Sequence, residues 1–211
     1  HQMLFKGWFM MIFRILIVFQ LLIMSFSNTA TASTLIKSLS NCNAEFFKDA
    51  SQNNQIKPII NEFYQQKIID GEDFIKPISV NEGSLKLDKF VVKYTDFNKY
   101  KDVVPNAPTG EYYYWGFESS QPLDEVARIL SKEIKLVKIA DNSYVYNPVY
   151  RNSLSDKWLK NSSPVGDIAP DEESAEKLFI IEESSDKTVT LFCSIQGNLE
   201  PQDLREVGII K

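Results

Sequence analysis

The chain has 211 residues, 28 acidic against 23 basic, with two cysteines and a single histidine at its first position. A net charge of −5 opposes binding to phosphate backbones and anionic lipid surfaces, so nucleic acid is not an expected partner. The only histidine, His1, lies in a leading segment expected to be removed, and a mature chain without histidine cannot assemble a Ser-His-Asp or Cys-His nucleophile system, a histidine-ligated zinc site or a C-x-x-C-H haem attachment.

In chain order, Met11 to Ser33 reads as a secretory signal. Arg14 precedes an apolar core from Ile15 to Phe26, and the small residues Ala30-Thr31-Ala32 close the segment before Ser33. Cleavage is expected between Ala32 and Ser33, and residues 1–10 read as an upstream extension. The core is about a dozen residues against the roughly 20 that a spanning helix needs. The membrane is therefore expected to be met only in transit, a retained anchor being the alternative. Export leaves 33–211 as a single domain in the periplasm or outside the cell. Its net charge is −7, because Lys6 and Arg14 are the only charged residues in the part removed from a total of −5.

The mature chain opens with an amphipathic helical stretch from Thr34 to about Gln66, with Cys42 on its apolar face beside Leu39 and Phe46. The polar run 51–54 interrupts it, and Pro58 suits the first turn of a second helix carrying Ile59, Ile60, Phe63 and Tyr64. Residues 70–88 read as loop. Alternation over Lys89 to Phe97 predicts a strand, and the aromatic run Tyr112 to Phe117 predicts another with large side chains on both faces. Pro122, Asp124 and Glu125 open a helix whose stripe is Leu123, Val126, Ile129 and Leu130. Two further strands, Ile134 to Ile139 and Ser143 to Tyr146, are joined by a hairpin turn. Residues 147–175 read as a long polar loop. A hairpin from Lys177 to Gln196 turns at 184–187 and points Cys193 into the core, and Pro201 opens a short terminal helix. These elements predict an α+β fold, with N-terminal helices packed on a largely antiparallel sheet of about six strands. A strand with Gly116 followed by Pro122 and Asp124, and one with Gly197 followed by Pro201 and Asp203, hint at internal duplication, although helix-start chemistry alone produces the same match.

Cys42 and Cys193 allow one intramolecular pairing, and an oxidising compartment predicts a disulfide between them. Two separate buried thiols are the reading if export fails. Without a C-x-x-C there is no redox motif. The acidic pairs Glu172-Glu173 and Glu182-Glu183 read as solvated charges rather than facing catalytic carboxylates. No metal-ligand pattern and no cofactor motif is found. The aromatic run flanked by Glu111 and Glu118 is either a sugar-stacking surface or a strand buried on both faces. Tyr150, Arg151 and Trp158, residue types enriched at interface hot spots, are the candidate interaction residues, with Arg151 closing a loop through backbone carbonyls as the alternative.

The phrases LSNCNAEFF (39–47), YYYWGF (112–117) and LFCSIQG (191–197) resemble those of small exported proteins of Acinetobacter-type gamma-proteobacteria that carry no assigned activity. The resemblance implies a periplasmic home and no chemistry. The expected function is therefore an exported, non-enzymatic binding or interaction protein facing an unknown protein or envelope partner, one form being an inhibitor or immunity-like protein whose acidic surface covers a basic partner. The alternative is a cell-envelope hydrolase or glycan-active enzyme working with carboxylates alone.

Overall fold

Turn chemistry divides the helical start of the chain into three pieces rather than two. The computed structural model describes residues 34–104, 107–162 and 170–211; the expected signal segment and the cleavage expected between Ala32 and Ser33 lie outside the described residues. Helix α1 spans Thr34–Ser40, α2 spans Glu45–Ala50 and α3 spans Lys57–Gln65. Between α1 and α2, Cys42 takes a left-handed φ of 50° and the Asn43 side chain accepts from the Glu45 N–H, so the chain turns where the apolar spacing reads as continuous helix. Cys42 is thus in a turn and not on a helix face, although it remains buried. Asn53 breaks the next stretch the same way, its Oδ1 accepting from Gln55 and Ile56, and Pro58 sits in the first turn of α3 as expected.

Eight antiparallel strands follow among the described residues, against the six expected. They are β1 (Phe74–Glu82), β2 (Leu85–Asp96), β3 (Glu111–Ser119), β4 (Val137–Ala140), β5 (Ser143–Arg151), β6 (Leu159–Lys160), β7 (Ala175–Glu183) and β8 (Val189–Gly197), in the order β1-β2-β3-β8-β7-β5-β4, with β6 pairing β5. A short 3₁₀ turn, Phe97–Tyr100, follows β2. Two helices lie outside the N-terminal group: α4 (Leu123–Leu130) after β3 and α5 (Pro201–Glu206) after β8. Strand β1 reads as loop in the sequence because it is an edge strand, half polar and containing Pro77, and its pairing with β2 shifts register between Pro77 and Val80. Its inward side is nonetheless Phe74, Lys76, Ile78 and Val80, with Lys76 paired to Glu62 of α3. Strand β5 runs past Pro148 to Arg151, through an irregularity at Asn147, whose φ is 51°. Residues 147–175 therefore contain most of two sheet elements rather than one loop.

Phe90, Val92, Trp115, Phe117, Leu191, Cys193, Phe179 and Ile181 share one face of the sheet with apolar residues of α1 to α5 in a single buried cluster. The aromatic run is core: Trp115 and Phe117 are fully buried, and Tyr112 and Tyr113 nearly so. The opposite face carries a transverse row of directly paired residues, Ile75, Val91, Gly116, Phe192, Ile180, Val145 and Val137. At Gly116, with φ of 149°, an added Cβ would collide with the Leu191 carbonyl oxygen, so this row has no side chain at its centre. Strands β1-β2-β3 ending in α4 and β5-β7-β8 ending in α5 form two antiparallel meanders that meet at β3 and β8.

The β7–β8 turn yields a pH prediction. Asp186 accepts from the Ser184 hydroxyl at 2.6 Å and the Thr188 N–H at 3.0 Å, and these bonds hold its carboxyl at about 2, below the ordinary 3.8. A depressed folded value means the carboxylate stabilises the fold above about 3.8 and loses that contribution as the pH falls toward 2. The melting temperature should therefore drop across this interval, and Asp186→Asn should lower it at pH 6 while flattening the acid limb. Thermal melts of both proteins between pH 2 and pH 6 check this.

Candidate functional site

The expected interaction residues do not share one surface. Arg151 ends β5 on the helix-packed face, its side chain 6% exposed, and its guanidinium holds the Asp203 carboxylate of α5 through Nη1 at 2.8 Å and Nη2 at 2.6 Å. Nη2 also donates to the Asn198 carbonyl at 3.0 Å. Trp158 lies half-buried against the guanidinium, 4.8 Å from ring centroid to Cζ, and the Lys177 ammonium lies 5.2 Å from the same ring. Burial pushes the Lys177 pKa down, an effect opposed by the charges of Glu206 and Asp203. Tyr150 points to the other face, opposite Glu176 and Leu159, and is exposed. The expectation of Arg151 as an exposed hot spot is therefore corrected: the residue fastens the end of β8 and the start of α5 to β5. Its sequence context looks solvated because its partners Asn198 and Asp203 lie 47 and 52 residues downstream.

The acidic pairs lie at the surface or in sheet-edge contacts. Glu172 pairs with Lys101, Glu183 with Lys187, and Glu182 stands opposite Thr190 and Ser143. Among the described residues no group of three or more His, Cys, Asp or Glu could hold a metal ion. Cys42 and Cys193 are at disulfide distance, with Cα atoms 5.3 Å apart. Among the described residues no helix is long and apolar enough to cross a membrane.

A site that the sequence reading missed lies where α3 ends. Two openings flank residues 66–68. The larger, about 360 Å³, is lined by Phe63 and Tyr64 of α3, Gln66, Lys67, Ile68, Tyr113 of β3, and Ile209, Ile210 and Lys211. The smaller, about 180 Å³, is lined by Phe63, Lys67, Ile69, Glu72, Phe74 and Lys76 among others. Gly208 makes the larger cleft possible: with φ of 82° it turns the chain back toward α3, and a Cβ there would lie 2.8 Å from the Phe47 ring. Tyr64 donates to the Gly208 carbonyl at 2.6 Å, which fixes the C-terminal stretch against α3.

The two tyrosines of this cleft offer rings rather than free hydroxyls. Tyr113 donates to Glu111 Oε1 at 3.2 Å, and Tyr94, stacked on it at a centroid distance of 4.3 Å, donates to the same oxygen at 2.7 Å. Burial pushes Tyr64 to about 12. Burial, reinforced by the charge of Glu111, moves Tyr94 and Tyr113 higher, so all three stay neutral donors at physiological pH. Of the side chains lining the larger cleft, those of Lys67 and Lys211 are charged, both exposed, with the Lys211 ammonium 4.2 Å from the Tyr64 ring centroid. The lining residues come from three distant parts of the chain and none forms a local motif, which is why a linear reading passes over them.

No protein-family model, no curated protein and no solved structure matches the chain.

Proposed function

We propose that this is an exported, non-enzymatic binding protein that holds a small ligand in the cleft between α3, Tyr113 and residues 209–211. The observation that carries the reading is the cleft itself. Its walls combine aliphatic and aromatic side chains with Gln66, Lys67 and Lys211, its volume of about 360 Å³ lies at the small end of ligand pockets, and its two tyrosine hydroxyls are already engaged internally. Export to the periplasm or beyond is supported by the signal-like segment and by the cysteine pair at disulfide distance. The competing reading, a hydrolase working through carboxylates, calls for two of them facing across a cleft. No Asp or Glu side chain lines the larger opening. In the smaller one, Glu72 and Asp73 are sequence neighbours, and Asp73 is 3.4 Å from the Lys93 ammonium. An inhibitor or immunity-like mode with a protein partner would draw on Tyr150, Leu154 and Leu159, which are exposed, and not on Arg151.

Native mass spectrometry of the protein taken from the envelope fraction tests the reading. A small-molecule adduct at one per chain, lost on unfolding and absent from an Ile68→Arg variant of unchanged melting temperature, is the expected result. Ligand-free wild-type protein from the same fraction would remove the reading.

A further inference from the structure

Lys177 of β7 lies on the helix-packed face of the sheet, at a position where a strand ordinarily carries an apolar side chain. Its direct neighbours across the ladders are Ile195 of β8, 1% exposed, and Val149 of β5, and its diagonal neighbour is Arg151, which stands opposite Ala175. The Trp158 ring lies against both cations, its centroid 5.2 Å from the Lys177 ammonium and 4.8 Å from the Arg151 guanidinium. Asp203 holds the guanidinium, and among the described residues no hydrogen bond or ion pair reaches the Lys177 ammonium. Lys177 is thus half-buried, unpaired and one ring away from a second cation.

Removal from water and a like charge nearby are the two conditions that turn a lysine from a surface charge into an amine nucleophile, because both disfavour the ammonium. Burial is the larger influence on Lys177 and lowers its pKa; Arg151 acts in the same direction, against Glu206 and Asp203 of α5.

We propose that Lys177 is a reactive amine, the site at which the folded protein condenses with an aldehyde in preference to its exposed lysines. The ammonium first gives a proton to water. The amine lone pair then bonds to the carbonyl carbon, the carbonyl oxygen leaves as water, and a reversible imine to Nζ remains, with nothing oxidised or reduced. Trp158, Val149 and Ile195 give the carbon substituent of the aldehyde an apolar wall. Lys177 does not line the cleft at α3, so this site stands or falls independently of that binding reading.

Limiting acetaldehyde with cyanoborohydride, which reduces the imine to a stable ethylamine, followed by peptide mass spectrometry, reads the rate at each lysine. At pH 7 Lys177 should be ethylated several-fold faster than the exposed Lys37 and Lys132, and in the urea-unfolded protein that lead should vanish. Glu206→Gln removes a charge that favours the ammonium and should speed the reaction further. Trp158→Ala should slow it by letting water reach the ammonium, although it widens the approach; a lysine limited by access alone would react faster. Should Trp158→Ala not fold, the wild-type comparison and Glu206→Gln decide without it. Ethylation of Lys177 in the folded protein no faster than that of Lys37 and Lys132, slower ethylation in Glu206→Gln, or faster ethylation in folded Trp158→Ala overturns the proposal.

Discussion

Replacing Arg151 by alanine is expected to destabilise the protein by about 3–5 kcal/mol, because it leaves the Asp203 carboxylate buried with no opposing charge. Both side chains are 6% exposed, and the guanidinium meets both carboxylate oxygens in a fork. Asp203 also accepts from the Glu200 N–H at 2.8 Å and completes the capping box that opens α5, so an unpaired carboxylate there strains the helix start as well. For a domain of this size the loss corresponds to about 6–20 °C in melting temperature. Arg151→Lys should fall between wild type and alanine, since an ammonium keeps the charge but cannot make the two parallel bonds. Urea denaturation of the three proteins measures this. A change below about 0.5 kcal/mol for the alanine variant, the range of ordinary surface substitutions, would show that the pair carries no net stability.

Cys42→Ser should cost about 2–5 kcal/mol under oxidising conditions, the range for loss of a native disulfide. The pair joins residues 151 apart in sequence, and both cysteines are buried where α1 packs on β8. Losing the link frees the N-terminal helices in the unfolded chain more than it alters contacts in the folded one. Reduction of the wild-type protein should therefore reproduce the shift, and the serine variant should be insensitive to reductant. Peptide mapping without reductant that recovered two free thiols from exported protein would remove the basis of the prediction.

Local signals in the sequence were legible wherever an element is stabilised by its own residues. Pro58, Pro122 and Pro201 mark helix starts, the β7–β8 hairpin falls at its expected place, and the aromatic run is a central strand. Strand β1 was hidden because an edge strand needs only one apolar side and tolerates Pro77. Cys42 was placed on a helix because apolar spacing continues through it, and only a left-handed residue at that point reveals the turn. Arg151 could not be recognised as buried, because Asp203 and Asn198 lie in another part of the chain. The cleft was illegible for the same reason: Phe63, Tyr113 and Ile210 meet only once the sheet has formed.

The central pairing of β3 with β8, together with the packing of α1 on β8, sets an order of events for a chain delivered from one end. The helices that emerge first cannot bury Leu39 and Cys42 until residues 189–197 arrive, because their partner strand is the last of the sheet. Up to that point β1-β2-β3 can pair among themselves, and β4 to β7 among themselves, with the edges of β3 and β7 that β8 will occupy still open. Such high contact order slows folding, and it leaves completion of the core until the last strand is in place.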